Sequence, residues 1–260
     1  EQHIIGMAAG LALDGFIPYV NTIAVFLTRR CFEQVALDLC LHDLPVRLIG
    51  NGGGLVYAPL GPTHQAIEDI GILRTLPNMT IVAPCDAEEM KRLMVASLDW
   101  PHPLYIRLAK GGDTIVSNPE LGFIIGKGIK LKEGNDVLFV TTGITTQKAL
   151  SAAEFLADEK VECGVLHMHT IKPFDNKGLI QAAKSVELVV TIEEHVLNGG
   201  LGSAVLETFS DHGIIKKVVR LGIPDVFAEK YGSQDIIMAG FGLDPGNIVQ
   251  TVKNCLTQKR

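Results

Sequence analysis

The sequence predicts an α/β protein of two domains, each a mostly parallel sheet flanked by helices. Short apolar runs of strand length alternate with amphipathic runs of helical period along most of the chain, the pattern of parallel strands joined by crossover helices. The alternation breaks once, at residues 113–134, which are rich in glycine and polar residues and hold only a short hairpin-like piece. A length of 260 residues with 47% apolar and 20% charged residues suffices for one large core or two ordinary ones. A single eight-fold β/α barrel has a similar usual length. The irregular middle favours a boundary instead, giving domains at 1–112 and 135–260 with 113–134 as linker.

Residues 3–13 have a helical pattern that ends at Asp14-Gly15, a helix-stop signal. PYVNTIAVFL is strand-like and then irregular, TRRCFEQVALDLCLHD is helical, and PVRLIGN is a buried strand ended by Gly52-Gly53-Gly54. GPTHQAIEDIGILRTLP reads as a loop feeding a helix, with Pro62 in an early helical turn and Thr63 as its cap. MTIVAPCD is a strand, Asp86 caps the helix after it, and PLYIRLA is the next strand. Beyond the linker, DVLFVTTG, VECGVLHMHT, ELVVTIEE and KKVVRLGI are strands. TTQKALSAAEFLADEK, GLIQAAKS and GGLGSAVLETFSDHG are the helices between them. DPGNIVQTVKNCLTQ closes the chain as a helix with Asp244 at its cap and Pro245 in its first turn.

A net charge of -6 with neither sign clustered gives no footprint for nucleic acid or an anionic membrane. Mean hydropathy is +0.27, yet the apolar runs are broken before the roughly 18 to 20 residues a membrane span needs, so the excess belongs to core or subunit interface. Five cysteines without paired or zinc-like spacing point to reduced, mostly buried thiols and a cytoplasmic setting. Glu1-Gln2-His3 runs straight into a helical pattern with no cap before it, which leads us to expect a longer gene product.

Several segments carry a family resemblance. Glu1-Gln2-His3, the stretch from Asn21-Thr22 to Phe26-Leu27-Thr28-Arg29, Gly52-Gly53-Gly54, Gly61-Pro62-Thr63-His64-Gln65 and Glu68-Asp69 resemble the pyrimidine-binding domain of transketolase and of 1-deoxyxylulose-5-phosphate synthase. TIKPFD at 170–175, TIEEH at 191–195 and NGGLGSAV at 198–205 resemble the C-terminal domain of the same family, in order and spacing. The resemblance covers essentially the whole chain. It implies a thiamine diphosphate-binding pyrimidine-type fold followed by a transketolase C-terminal-like fold. It also implies transfer of a two-carbon ketol unit from a ketose phosphate to an aldose phosphate. A synthase-like or 2-oxoacid-decarboxylating thiamine enzyme is the alternative, and a noncatalytic dimerisation module is the alternative of another class.

The resemblance assigns roles by position. Glu1 falls on the glutamate that hydrogen-bonds the cofactor's aminopyrimidine, where burial against an aromatic ring would raise its proton affinity. Phe26 matches the aromatic packed on that ring, and Ile23 stands where some members place a second aromatic. His64 matches the residue that handles protons beside the cofactor, a task suited to imidazole near neutral pH. Arg29 and Lys110 are candidates for substrate phosphate; one extra residue in TRRCFEQ leaves open whether Arg29 or Arg30 takes the family place. Arg107 reads as a structural ion-pair partner.

Two departures bear on the substrate: Leu60 stands where the family has an aspartate for sugar hydroxyls, and Gly52 where it has a histidine. The Gly-Asp-Gly segment that holds the diphosphate and its Mg2+ or Ca2+ is not in this sequence. A diphosphate-binding domain or subunit is therefore expected as partner, in a homo-oligomer or a split heterotetramer. In the second domain, His195 and Gly199-Gly200-Leu201-Gly202 suggest turn geometry and subunit contact. His167 and His169 alternate on a strand with no third metal ligand evident.

Overall fold

In the computed structural model, which describes residues 1–257, the chain forms two five-stranded sheets. Helix α1 (Gln2–Leu13) leads to β1 (Tyr19–Ile23), and a helical stretch follows in which α2 (Phe32–Gln34) lies between two π-helical turns, Phe26–Arg30 and Val35–Leu41. Next come β2 (Arg47–Asn51), α3 (Asp69–Arg74), β3 (Thr80–Val82), α4 (Ala87–Leu98) and β4 (Leu104–Arg107). The second half contains β5 (Ile129–Lys132), β6 (Val137–Thr141), α5 (Thr145–Asp158), β7 (Cys163–His167), β8 (Thr170–Lys172), α6 (Asn176–Ala183) and β9 (Leu188–Val196). It ends with α7 (Leu201–Asp211), β10 (Lys217–Ile223), α8 (Gln234–Gly240) and α9 (Pro245–Thr257).

The first sheet has the order β1-β2-β4-β3-β8 and the second β10-β9-β6-β7-β5. Pairing is parallel except at one edge of each, where β8 runs antiparallel to β3 and β5 antiparallel to β7. Two open sheets exclude the closed barrel. Strand β5 falls within 113–134, so that stretch supplies an edge of the second sheet. Strand β8, from the second half, completes the first sheet, with Val82 opposite Thr170. The halves also share one apolar cluster in which Leu48, Ile70 and Ile81 meet Leu138, Leu166 and Val189. This fuses the two domains into one packed unit.

Local signals act as their chemistry requires. Asp86 accepts the Glu89 N–H at 2.9 Å and so caps α4. Asp244 accepts the amides of Gly246 and Asn247 at 3.0 and 3.2 Å, capping α9, whose expected last residue, Gln258, lies outside the described residues. The helix after GPTHQ departs from expectation. It starts at Asp69, so Pro62 and Thr63 stay in the preceding loop, where the His64 N–H bonds back to the Gly61 carbonyl at 3.0 Å. The Thr63 hydroxyl faces the His64 Nδ1 at 2.9 Å rather than any helix amide.

Candidate active site

Four side chains meet where α1, the first π turn and the 52–66 loop converge. Glu1 is the cap residue before α1, and its carbonyl accepts the Ile5 N–H at 3.1 Å. The Glu1 carboxylate accepts from Arg30 Nη1 at 2.6 Å, and the Arg30 guanidinium lies 4.4 Å from the centroid of the Phe26 ring. On that ring the His64 imidazole packs edge-on, centroids 5.3 Å apart. Glu1, Phe26 and His64, separated in sequence, thus form one contiguous row linked by Arg30. Ile23 and Phe26 pack against the buried Ala24, Val25 and Ala66.

Glu1 differs from the expectation of burial and raised proton affinity. Its side chain is 23% exposed, and the Arg30 hydrogen bond holds the carboxyl below its ordinary range. A cation at bonding distance favours the ionised form more than this shallow burial opposes it.

The two arginines have different environments. Arg29 pairs through Nη2 with Glu68 at 2.8 Å and also donates to the carbonyls of Pro62 and Gln65 at 3.3 and 3.0 Å. Its hydrogen bond to Glu68 raises its pKa. Arg29 therefore clasps the His64 loop from behind, while Arg30 faces Glu1. Both arginines lie on the π turn Phe26–Arg30.

Next to His64, Gln65 is buried, and neither its amide oxygen nor its amide nitrogen has a partner among the described residues. Buried amides normally find partners. A heterocycle carrying donors and acceptors is the kind of group the row fits: a carboxylate, a flat ring and an imidazole. The sequence offers Gln65 only as part of GPTHQ, and Arg30 only as the other candidate for the family arginine.

Leu60 is solvent-exposed at the head of the loop, and Gly52, at φ +70°, lies under the Tyr57 ring. Lys110 is exposed on the rim of a separate cleft of about 240 Å³ beside Asn51 and Asp86. Arg107 makes the structural ion pair expected of it, donating from Nε to Asp69 at 2.8 Å in the interior.

His167 is joined in the buried junction by Glu89, which accepts from its Nε2 at 2.8 Å, and by Cys85, whose N–H the same carboxylate accepts at 2.8 Å. The other Glu89 oxygen is buried with no partner among the described residues, and with the Cys85 thiol the three possible ligand atoms lie within 4.8 Å of one another, so the fold supplies for His167 the companions that the sequence did not show. The five cysteines are free; burial pushes the thiols of Cys40 and Cys163 up to about 12.

Three buried carboxyls give stability a pH dependence. Burial opposes the charge on Glu89, but His167 outweighs it and holds the carboxyl down to about 2, against 4.5 ordinarily. Its stabilisation is present above pH 4.5 and is lost as pH falls toward 2. Burial raises Glu193 and Glu194 to about 7, so their contribution is present below pH 4.5 and is lost as pH rises through 7. The expected stability profile falls on both sides of the region near pH 4.5. Urea midpoints across pH should show Glu89→Gln removing most of the acid limb and leaving the other. An unchanged acid limb would refute the assignment.

Among the described residues no helix is long and apolar enough to cross a membrane. Residues 1–112 match the transketolase pyrimidine-binding domain and residues 126–248 the transketolase C-terminal domain. The chain is 36% identical to one of the subunits of the apulose-4-phosphate transketolase of Phocaeicola vulgatus, over 96% of this chain and 80% of that protein. It is 39% identical to the 1-deoxy-D-xylulose-5-phosphate synthase of Syntrophotalea carbinolica, over 100% of this chain but 41% of the synthase. It thus spans about two fifths of such a synthase. The solved structure of a split-gene transketolase, an inactive beta4 tetramer, superposes with a TM-score of 0.91 at 39% identity, covering 100% of this chain and 83% of that one. With both domains matched in order along the chain, this chain belongs to the transketolase family.

Proposed function

We propose that this chain is the pyrimidine-side portion of a thiamine diphosphate enzyme that transfers a two-carbon ketol unit from a ketose phosphate to an aldose phosphate, acting with a diphosphate-binding domain or subunit. The observation that carries the proposal is the convergence of Glu1, Phe26 and His64 through Arg30. When bound, the cofactor supplies a carbon nucleophile that opens the ketose beside its carbonyl and stores the resulting electron pair. Glu1 would hold a proton at the pyrimidine ring nitrogen, Phe26 would pack on the ring, and His64 would move protons at the substrate oxygen. Arg30 bonds only one oxygen of the Glu1 carboxylate, which leaves the other for that contact. The metal, Mg2+ or Ca2+, would be held by the partner.

Helix α1 supports the partnership. Ile4, Met7 and Leu11 leave an exposed apolar stripe at helical spacing beside Glu1, of the kind that subunit contacts bury. One relative that is a single subunit of a transketolase, and another encoded by a split gene, fit a partner on a separate chain. Leu60, which cannot orient a sugar hydroxyl, supports a second reading in which the donor is a 2-oxoacid. Assembled with the diphosphate-binding partner, thiamine diphosphate and Mg2+, the enzyme should convert xylulose 5-phosphate plus ribose 5-phosphate. Product from pyruvate plus an aldehyde alone would favour the second reading. Absence of cofactor binding would indicate a noncatalytic dimerisation module.

A further inference from the structure

The loop that carries His64 is gripped at its neck by the second domain. Gly54 and Ala66 exchange N–H to carbonyl bonds at 2.9 and 3.0 Å, closing residues 55–65 into a loop with His64 next to its end. The side chains of Leu55, Ala58 and Ile67 pack in the second domain's apolar cluster with Phe139, Val190 and Ile192. Strand β9 supplies the polar contacts. Glu194 Oε1 accepts the Leu55 N–H at 2.8 Å and Gln234 Nε2 at 2.7 Å. The Val196 N–H donates to the Ile67 carbonyl at 2.8 Å, and His195 Nε2 accepts the Gly71 N–H at 3.1 Å. Arg107 ties the far end of the loop to β9 by donating to the carbonyls of Ala66 and Glu194 at 3.1 and 2.9 Å. Gly54 has φ +69°, and a Cβ there would lie 2.4 Å from the Glu194 carboxyl; only glycine lets the carboxyl reach the neck.

We propose that Glu194 is a positioning residue for His64, holding the first limb of the loop so that the imidazole meets the Phe26 ring edge-on. Removing the carboxyl leaves the buried Leu55 N–H without its acceptor, and that limb must move to find another. The Gly54–Ala66 pairing carries the movement to His64, two residues from Ala66. The positioning stands on geometry alone, and its effect on turnover rests on the reading given above.

Imidazole NMR of the intact chain tests it. His64 is assigned with His64→Gln, and its ring-current shift is calibrated with Phe26→Leu. In Glu194→Ala most of the Phe26-dependent shift should disappear while the signals of the histidines away from β9, such as His3 and His42, hold. Glu194→Gln, whose amide oxygen can still accept the Leu55 N–H, should restore it. In the assembled enzyme, kcat should fall roughly 10- to 100-fold in Glu194→Ala with a displaced pH profile. Cofactor Kd should stay within about twofold. If the alanine variant does not fold, Glu194→Asp keeps a buried carboxyl, withdraws the acceptor by one methylene and is read in the same way. A His64 shift and pH profile that survive loss of the acceptor overturn the proposal. The NMR arm needs no cofactor, so it stands or falls apart from the thiamine reading.

Discussion

Glu1→Ala in the assembled enzyme should abolish hydrogen exchange at the reactive carbon of thiamine diphosphate, a loss of about 10²- to 10⁴-fold for a positioned acid–base group. Glu1→Gln should lose nearly as much, because an amide keeps the shape and a hydrogen bond but cannot share the proton. Calorimetric titration of the cofactor should show binding retained in both variants, weakened by no more than a hydrogen bond's worth. Arg30→Ala provides the opposite control. It frees the Glu1 carboxylate from its hydrogen bond and lets its pKa rise back toward 4.5, read as a carboxyl NMR titration. Substantial exchange surviving in Glu1→Ala would remove Glu1 from the chemistry.

Arg107→Met should produce the largest loss of stability, about 3–5 kcal/mol, as expected when one member of a buried ion pair is removed and the other charge stays behind. Arg107 is 6% exposed and its partner Asp69 is 0% exposed. Burial opposes the guanidinium's charge, but Asp69 and Glu194 more than offset this and raise its pKa. Asp69 also accepts from the buried Tyr105 hydroxyl at 2.8 Å, so its loss of Arg107 leaves a charged carboxylate with one donor. The same substitution at Lys253, whose pair with Glu159 is half open to solvent, should cost about 0–1 kcal/mol. Urea unfolding measures both. A change below about 1 kcal/mol at Arg107 would contradict the buried-pair account.

Much of this architecture could be read from residues alone wherever the determining interaction is short in sequence. Asp86 caps α4 because the donor it satisfies is three residues away. Asp244 and Pro245 start α9 for the same reason. The site row was legible through motifs: Glu1 before its helix, Phe26 after β1 and His64 in GPTHQ. The exposure and lowered pKa of Glu1 were not, because the pairing that sets its charge comes from Arg30, on the π turn after β1. The start of α3 was misplaced to Pro62 because nothing local shows that residues 55–65 are held as a loop by the opposite domain.

By itself the sequence determined the alternation of strands and helices, the two-domain plan and the residue types of the site, since apolar period and short-range capping act within a few residues. Only the tertiary structure decided that β8 completes the first sheet, that β5 edges the second, and that Glu194 reaches the neck of the His64 loop 139 residues away. A three-residue strand or a buried carboxylate has several possible partners of equal chemistry. Which one it takes depends on what packing of the rest of the chain brings within about 3 Å, the length of a hydrogen bond.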